Sequence, residues 1–200
     1  MKIISYKNKN RMKLFLRRFK KVPKIIFLDI DGVLNSEVDF KNYTDEEKER
    51  YHDIAMRPLK LLDDLVTETK ALIVVSSTWR SRSHTWLLRE VLDKPITDVD
   101  RLQMIFKQRG FKNWKSIIAV TPVLKSEGMV RGNEIYYWIK HNEKILNCNH
   151  NDFSSYVIFD DDSDMLLWQQ KHFFKTDGYV GLTRNLCYKA KYFLNGYKYK

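Results

Sequence analysis

The chain has few cysteines and no long apolar run. Its two cysteines, Cys148 and Cys187, lie far apart and form no CxxC pair, which favours reduced thiols in a reducing compartment. No apolar stretch approaches the ~18 residues that a membrane span needs. Charged residues also interrupt the amino end too often for the apolar core of a signal peptide. We therefore expect a cytoplasmic protein without a transmembrane segment.

Acidic residues are missing from both ends of the chain. Residues 1–24 carry ten Lys and Arg and residues 184–200 carry five, with no Asp or Glu in either range, whereas the whole chain has a formal net charge of +11. The body between them is therefore mildly acidic. A basic end can bind nucleic acid through counterion release, lie on an anionic membrane or pack on the protein's own core. For the amino end the sequence leaves all three alternatives open.

The amino-terminal extension, residues 1–23, combines basic residues with apolar ones at helical spacing. Four apolar residues fall on one face of the predicted helix: Met12, Phe15, Leu16 and Phe19. This spacing predicts a short basic amphipathic helix. The carboxyl-terminal segment, residues 184–200, is basic and aromatic, and we expect it to pack on the domain.

Repeats, low-complexity linkers and the motifs of kinases or ligases are also absent. Neither a G-x-x-x-x-G-K-[ST] loop nor a lysine in a ligase-like context occurs, so the sequence predicts no kinase or ligase activity. A length of 200 residues suits one domain with a full core.

Short apolar runs alternate with segments of helical spacing. The predicted strands are 24–30, 71–75, 116–120, 155–159 and 172–176. The predicted helices are 44–55, a helix from Pro58, 83–92, 98–108, 133–146, 163–170 and a last helix from Leu182. This alternation predicts an α/β fold with a parallel sheet and helices on both faces.

Polar clusters follow three of the predicted strands. Asp29 and Asp31 follow the first, residues 76–78 (Ser-Ser-Thr) follow the second, and residues 160–164 contain four aspartates. Right-handed crossovers place such strand ends at one edge of the sheet. Crowded carboxylates repel each other unless a cation intervenes, and Mg²⁺ prefers carboxylate, water and phosphate oxygens. With Arg131 near a predicted helix start, the pattern predicts a site for a metal-bound phosphoryl group, although Asp-x-Asp-Gly alone also fits an ordinary turn.

These clusters resemble motifs I, II and IV of the haloacid dehalogenase (HAD) superfamily, in that order. Four stretches are similar, more narrowly, to the small HAD domains of bacterial and phage RNA-repair (Swiss Army Knife) proteins: residues 28–36, 75–80, 121–122 with 131–135, and 159–165. The resemblance covers residues 24–183 and implies a Rossmann-like three-layer α/β/α sandwich with a mostly parallel sheet. Only residues 35–57 are left for a cap or flap between the first two motifs.

The resemblance implies separate roles for the two aspartates of the first motif. Asp29 would be the nucleophile that forms an aspartyl-phosphate, and Asp31 would be the general acid and then the general base. Mg²⁺ would be held by Asp29, the backbone carbonyl of Asp31, and Asp160. Asp161 or Asp164 would assist through water, and the sequence leaves that choice open.

The resemblance also implies that Ser76, Ser77 and Arg131 hold the phosphoryl group. The third motif of the superfamily is usually a lysine, and both Lys125 and Arg131 are candidates here. We favour Arg131, because a guanidinium can hold two phosphate oxygens at once. Arg80 adjoins the second motif and is a candidate supporting residue.

Four tryptophans are candidates for stacking on bases but are expected to lie in the core: Trp79, Trp114, Trp138 and Trp168. Trp79 is the exception, because its position beside the second motif could place it at the site.

A site with a small cap stays open to a large substrate. We therefore expect a Mg²⁺-dependent phosphatase that removes a phosphate, with a 3′-phosphate as the leading candidate, from a nucleic-acid end bound through the basic termini. One alternative is a 5′-nucleotidase or other small-molecule phosphatase. Another is a nucleic-acid-binding protein that uses the HAD scaffold without turnover.

Overall fold

The computed structural model describes residues 22–47, 54–80, 97–124 and 130–197, which build a five-stranded parallel sheet. The strands are β1 (Ile25–Leu28), β2 (Leu72–Val75), β3 (Ile117–Val120), β4 (Tyr156–Asp160) and β5 (Phe173–Lys175). Their order in the sheet is β3-β2-β1-β4-β5. The central strand β1 is therefore flanked by β2 and β4, the two other strands that end in polar clusters.

Strand β1 is buried on both faces, which explains its unbroken apolar sequence. Ile26 and Leu28 join one core cluster, whereas Ile25 and Phe27 join the other. All four side chains are fully buried. Burial of a side chain of this size contributes about 1.5–3 kcal/mol, so β1 anchors both layers and fixes the position of the residues that follow it.

Helices cover both faces of the sheet. The α-helices whose two ends both lie in the described residues are α1 (Glu37–Lys41), α2 (Met56–Thr69), α3 (Asp98–Gln108), α4 (Arg131–Leu146) and α5 (Arg184–Leu194). Leu62 of α2, Phe106 of α3 and Ala190 of α5 join the core on one face. Trp138 of α4 packs on the other face, edge-on to Phe27 with 5.5 Å between the ring centroids. The three-layer α/β/α arrangement and the parallel sheet are confirmed.

Helix α5 lies within the basic segment 184–200 and shares the core. Cys187, Ala190 and Leu194 are buried, and Thr183 caps the helix by accepting a hydrogen bond from the Leu186 N–H. None of the helices in the described part of the chain is long and apolar enough to cross a membrane.

Residues 163–170 do not form the predicted α-helix. A 3-10 helix occupies Leu167–His172 instead. The Asp164 carboxylate accepts a hydrogen bond from the Arg131 N–H at 2.7 Å, and the Gln169 side chain donates to the Gly132 carbonyl at 2.9 Å. Besides its own hydrogen bonds, such as that from the Gln169 N–H to the Leu166 carbonyl, this segment is therefore bonded to the start of α4. Trp168, expected in the core, is 59% exposed, because it belongs to this irregular turn.

Two further differences are local. Helix α4 begins at Arg131, two residues earlier than predicted, and the short helix α1, not predicted, begins after Ser36, whose side chain caps it. The predicted amphipathic helix of the amino-terminal extension, with Met12, Phe15, Leu16 and Phe19, and the predicted helix 83–92 lie outside the described residues.

Candidate active site

Three carboxylates meet where β1 and β4 end. Asp29 follows β1, Asp160 ends β4 and Asp161 comes next, and one oxygen from each lies within 4.8 Å of the other two. The Asp29 N–H donates to the Phe159 carbonyl at 2.9 Å, which fixes the end of β1 against β4. We call Asp29, Asp160 and Asp161 the carboxylate cluster.

Two members of the carboxylate cluster, Asp29 and Asp160, are buried more deeply than charged groups ordinarily are. Asp29 is 5% exposed and Asp160 is 1% exposed. Burial raises the pKa of Asp29 to about 6, although a hydrogen bond from Ser77 and the positive charge of Arg131 act in the opposite direction. Burial, with the negative charge of Asp29, raises the pKa of Asp160 to about 8. Both shifts reflect the cost of ionising buried groups, which the positive charge of Arg131 only partly offsets.

The cluster fits a divalent metal ion. One oxygen of Asp29 (Oδ1) and one of Asp160 (Oδ2) are buried without a hydrogen-bond partner among the described residues. Leaving such atoms unpaired is costly, and three carboxylates supply the hard oxygen ligands that Mg²⁺ prefers. The donor set therefore suits Mg²⁺.

Asp161 is held between two glycines. A Cβ atom built on Gly32 would lie 2.3 Å from the Asp161 Cγ, and one on Gly178 would lie 2.8 Å from its Oδ2. Gly32 also has a φ of +66°, which favours glycine. Of the two candidates for assisting the metal, Asp161 stands in the cluster. Asp164 instead binds the first backbone N–H of α4.

Asp31 lies apart from the carboxylate cluster. Strand β1 ends at Leu28, so the side chains of Asp29 and Asp31 diverge. The Asp31 carboxylate is exposed and accepts hydrogen bonds from Asn35 Nδ2 at 2.7 Å, Trp79 Nε1 at 3.0 Å and Thr78 Oγ1 at 3.2 Å. Asp31 is thus held by three donors at the open side of the site, while its backbone carbonyl remains the predicted metal ligand.

The end of β2 connects Asp29 to Arg131. Ser77 is fully buried and its hydroxyl donates to the Asp29 carboxylate. The carbonyl of Ser76 accepts a hydrogen bond from Arg131 Nη1. The Ser76 hydroxyl accepts from Thr121 Oγ1 at 3.3 Å. The structure therefore brings Ser76 and Ser77 to the site, and their contacts to a phosphoryl group stay a prediction.

Arg131 provides the positive charge beside the cluster. Its Nε lies 3.7 Å from the Asp160 Oδ2, and its position at the start of α4 is fixed by Asp164. The competing candidate Lys125 lies outside the described residues.

Comparison with known proteins agrees with this geometry. The family model described as "HAD domain in Swiss Army Knife RNA repair proteins" matches residues 25–187. The chain belongs to this family of HAD domains. Neither a search of curated proteins nor a search of solved structures gives a significant match.

In this HAD domain, a second set of buried charges lies behind the second motif. Arg80 pairs with Glu134 at 2.5 Å and donates to Thr121 Oγ1 at 3.0 Å, and the Leu124 N–H donates to the other Glu134 oxygen at 3.1 Å. Arg101 donates to the Trp79 carbonyl at 2.8 Å. We call Arg80, Glu134 and Thr121 the buried ion-pair network.

Sequence reasoning assigned no role to several residues that support the HAD site. Asn35, Thr121 and Glu134 lie inside the stretches that carry the resemblance, so the motifs could have indicated them. Arg101 lies in a helix with no neighbouring motif, and nothing in the sequence marks it. Family membership supports a phosphatase or related hydrolase that acts on a phosphorylated substrate and, as HAD domains generally do, uses a divalent metal.

Proposed function

We propose that the domain is a Mg²⁺-dependent phosphomonoester hydrolase with Asp29 as its nucleophile. The observation that carries this proposal is the carboxylate cluster, in which two buried oxygens have no hydrogen-bond partner among the described residues and Arg131 Nε lies 3.7 Å from Asp160 Oδ2. Asp29, Asp160, Asp161 and the Asp31 carbonyl would hold the metal. When bound, Mg²⁺ would offset the negative charge of the cluster and of the phosphoryl oxygens.

The reaction proceeds in two displacements. In the first, an oxygen of Asp29 forms a bond to phosphorus, the bond from phosphorus to the leaving alcohol breaks, and the carboxylic acid of Asp31 gives its proton to that alcohol. In the second, the Asp31 carboxylate takes a proton from water, whose oxygen bonds to phosphorus. The bond to Asp29 then breaks, releasing inorganic phosphate and restoring both aspartates.

The arrangement around Asp31 suits its double role. Asn35, Thr78 and Trp79 orient its carboxylate, while its exposure lets water and the leaving alcohol reach it. Arg131 would hold phosphoryl oxygens, and loss of one such preorganised group typically costs about 10²–10³ in rate.

The substrate we propose is the phosphate at a nucleic-acid end, with a 3′-phosphate as the first choice. The family description names RNA repair proteins, and both ends of the chain are basic and free of acidic residues. Asp31, the proposed general acid and base, is exposed, so a polymer end can approach it.

The proposal is tested by the release of inorganic phosphate from 3′-phosphorylated RNA and DNA oligonucleotides, with and without Mg²⁺. Mononucleotides and sugar phosphates form the comparison panel. The Asp29→Asn variant is expected to lose about 10⁴-fold or more in kcat, as nucleophile variants do. The matched control is Asp162→Asn, because Asp162 is exposed and stands outside the carboxylate cluster.

Three results would contradict parts of the proposal. Full activity of Asp29→Asn would rule out the covalent route. A preference for mononucleotides would favour the 5′-nucleotidase alternative. Binding of RNA without turnover of any phosphoester would favour the non-catalytic alternative.

A further inference from the structure

A groove of about 880 Å³ runs between strand β5 and helix α5. Strand β5 is the last strand in the sheet order, so the groove follows the edge of the sheet. Three lysines line it, Lys171, Lys175 and Lys189, and the lining found in the described residues contains no Asp or Glu. All three lysines are exposed. The groove is therefore positively charged, whereas the carboxylate cluster nearby is negative.

One end of the groove adjoins the candidate active site. Lys175 is paired in register with Asp160, the last residue of β4, and its Nζ donates to the Ser163 hydroxyl at 2.5 Å. The next residue, Thr176, donates its N–H to the Asp160 carbonyl at 2.9 Å. The groove thus begins one strand away from the carboxylate cluster.

The other end of the groove lies where the basic amino end of the chain meets the sheet. The lining residue Ser155 accepts a hydrogen bond from the Ile25 N–H at 2.9 Å. Lys24 Nζ donates to Asn195 Oδ1 at 2.6 Å, beside the lining residue Gly196. The groove therefore connects the active-site edge to the residues that follow the basic extension.

Aromatic side chains lie among the lysines. Phe173, Phe174 and Tyr197 line the groove. Tyr197 is 61% exposed, and its ring centroid lies 5.2 Å from that of Tyr192. Phe173 and Phe174 are partly buried against the core, so the accessible ring is that of Tyr197. Positive charge along a groove with an accessible aromatic ring is a combination that binds single-stranded nucleic acid, since lysines neutralise phosphates and rings stack on bases.

We propose that this groove holds the single-stranded part of a nucleic acid whose terminal phosphate lies at the carboxylate cluster. The inference rests on the proposed function and extends it. The polymer would follow β5 and α5. Lys171 and Lys189 would contact its internal phosphates rather than the reacting terminal phosphate.

The test compares two double charge reversals with equal change of net charge. Lys171→Glu with Lys189→Glu changes the groove, whereas Lys140→Glu with Lys144→Glu changes exposed lysines of α4, on the other face of the sheet. Lys175 is left unchanged because it adjoins the active-site edge. Binding of an oligonucleotide without a terminal phosphate is measured over a salt series, and kcat/KM is measured on 3′-phosphorylated oligonucleotides of increasing length and on p-nitrophenyl phosphate.

In the groove variant we expect oligonucleotide affinity to fall about tenfold or more at moderate salt, and the slope of log affinity against log salt to decrease by about 2. In the wild type kcat/KM should rise with oligonucleotide length and then level off, and this dependence should be lost in the groove variant. Hydrolysis of p-nitrophenyl phosphate should be unchanged, which also shows that the variant is folded.

Equal loss of affinity in the two double variants would overturn the proposal, because the effect would then follow net charge alone. Unchanged affinity in the groove variant would also overturn it and would point to a peptide or another segment of the chain as the occupant. If the wild type hydrolyses no phosphoester, the proposed function fails, and the binding measurement still decides where the nucleic acid lies.

Discussion

The carboxylate cluster and the buried ion-pair network are two neighbouring groups of buried charges that differ in how their charge is balanced. Arg80 and Glu134 are 8% and 7% exposed and form an ion pair, and both Glu134 oxygens accept hydrogen bonds, although Arg80 Nε has no hydrogen-bond partner among the described residues. Asp29 and Asp160 are as deeply buried, yet each keeps an oxygen without a hydrogen-bond partner in the described structure, and Arg131 Nε lies 3.7 Å from that of Asp160. The negative charge of Glu134 is balanced by Arg80 within the fold, whereas Arg131 only partly offsets the three carboxylates of the cluster, which leaves room for a cation from outside.

The largest expected effect is a loss of catalytic activity on mutation of the carboxylate cluster without a loss of stability. Asp160→Asn removes a charge from the cluster and is expected to lower kcat by about 10²–10³ or more. Its free energy of unfolding without Mg²⁺ should be unchanged or higher, since the neutral amide removes the cost of ionising a buried group. Urea unfolding and phosphate release measure the two effects. A less stable variant would show that Asp160 has a structural partner, and Asp162→Asn is again the control.

Breaking the ion-pair network should have the opposite result. Glu134→Gln leaves the Arg80 guanidinium buried without its counter-charge, and loss of one partner of a buried pair typically costs 3–5 kcal/mol. We expect a drop of about 3 kcal/mol or more in the free energy of unfolding, measured with urea. The Mg²⁺-induced shift of Tm should remain. Unchanged stability of Glu134→Gln would contradict a structural role for the ion-pair network.

The response to Mg²⁺ should depend on pH because of the carboxylate cluster. Folding raises the pKa of Asp160 from 3.8 to about 8 and that of Asp29 to about 6. The folded protein therefore binds protons more tightly than the unfolded chain, and without metal it loses stability as the pH rises from about 4 towards 8. Mg²⁺ competes with those protons, so its effect on Tm should be larger at high pH.

The measurement is a thermal melt with MgCl₂ and with EDTA across that pH range. In Asp160→Asn the Mg²⁺ effect and most of its pH dependence should disappear. An equal Mg²⁺ shift of Tm throughout the range would contradict the assignment of the metal to this cluster.

The smallest expected effect concerns Asp31, the carboxylate that is hydrogen-bonded but not buried. Trp79→Phe removes the indole Nε1–H that donates to Asp31 Oδ1 at 3.0 Å. A hydrogen bond to a charged group contributes about 1.5–3 kcal/mol. We expect kcat to fall about tenfold, with a changed pH profile and little change in stability. The control is Trp114→Phe. Trp114 is partly buried against the core and is distant in sequence from both aspartates of the first motif, so this variant should leave the pH profile unchanged.

Local sequence was sufficient to predict the sheet and most of the site. Strands such as β1 and β2 are buried on both faces, so their apolar runs are unbroken, and the polar residues after them mark one edge. The same reasoning failed at residues 163–170. Asp164 and Gln169 bind backbone groups at the start of α4, more than thirty residues away, and helical spacing carries no information about such contacts.

The partners of Arg80 were missed for a related reason. Glu134 and Thr121 lie in stretches that carry the resemblance, but their contacts with Arg80 form only when β2, β3 and α4 are packed. The choice between Asp161 and Asp164 likewise needed the fold. Gly32 and Gly178 make room for the Asp161 carboxylate, and they lie far apart in the sequence.

The register between β1 and β4 limits where residues can be inserted into the chain or deleted from it. Leu28 is paired with Phe159, and the Asp29 N–H continues that pairing to the Phe159 carbonyl. Deleting one residue within either strand would reverse the faces of its remaining side chains and would separate Asp29 from Asp160. Connecting loops outside these strands are not bound by this register. Insertions that alter what enters the site should therefore be tolerated in loops, whereas a single-residue deletion in β1 or β4 should abolish the site.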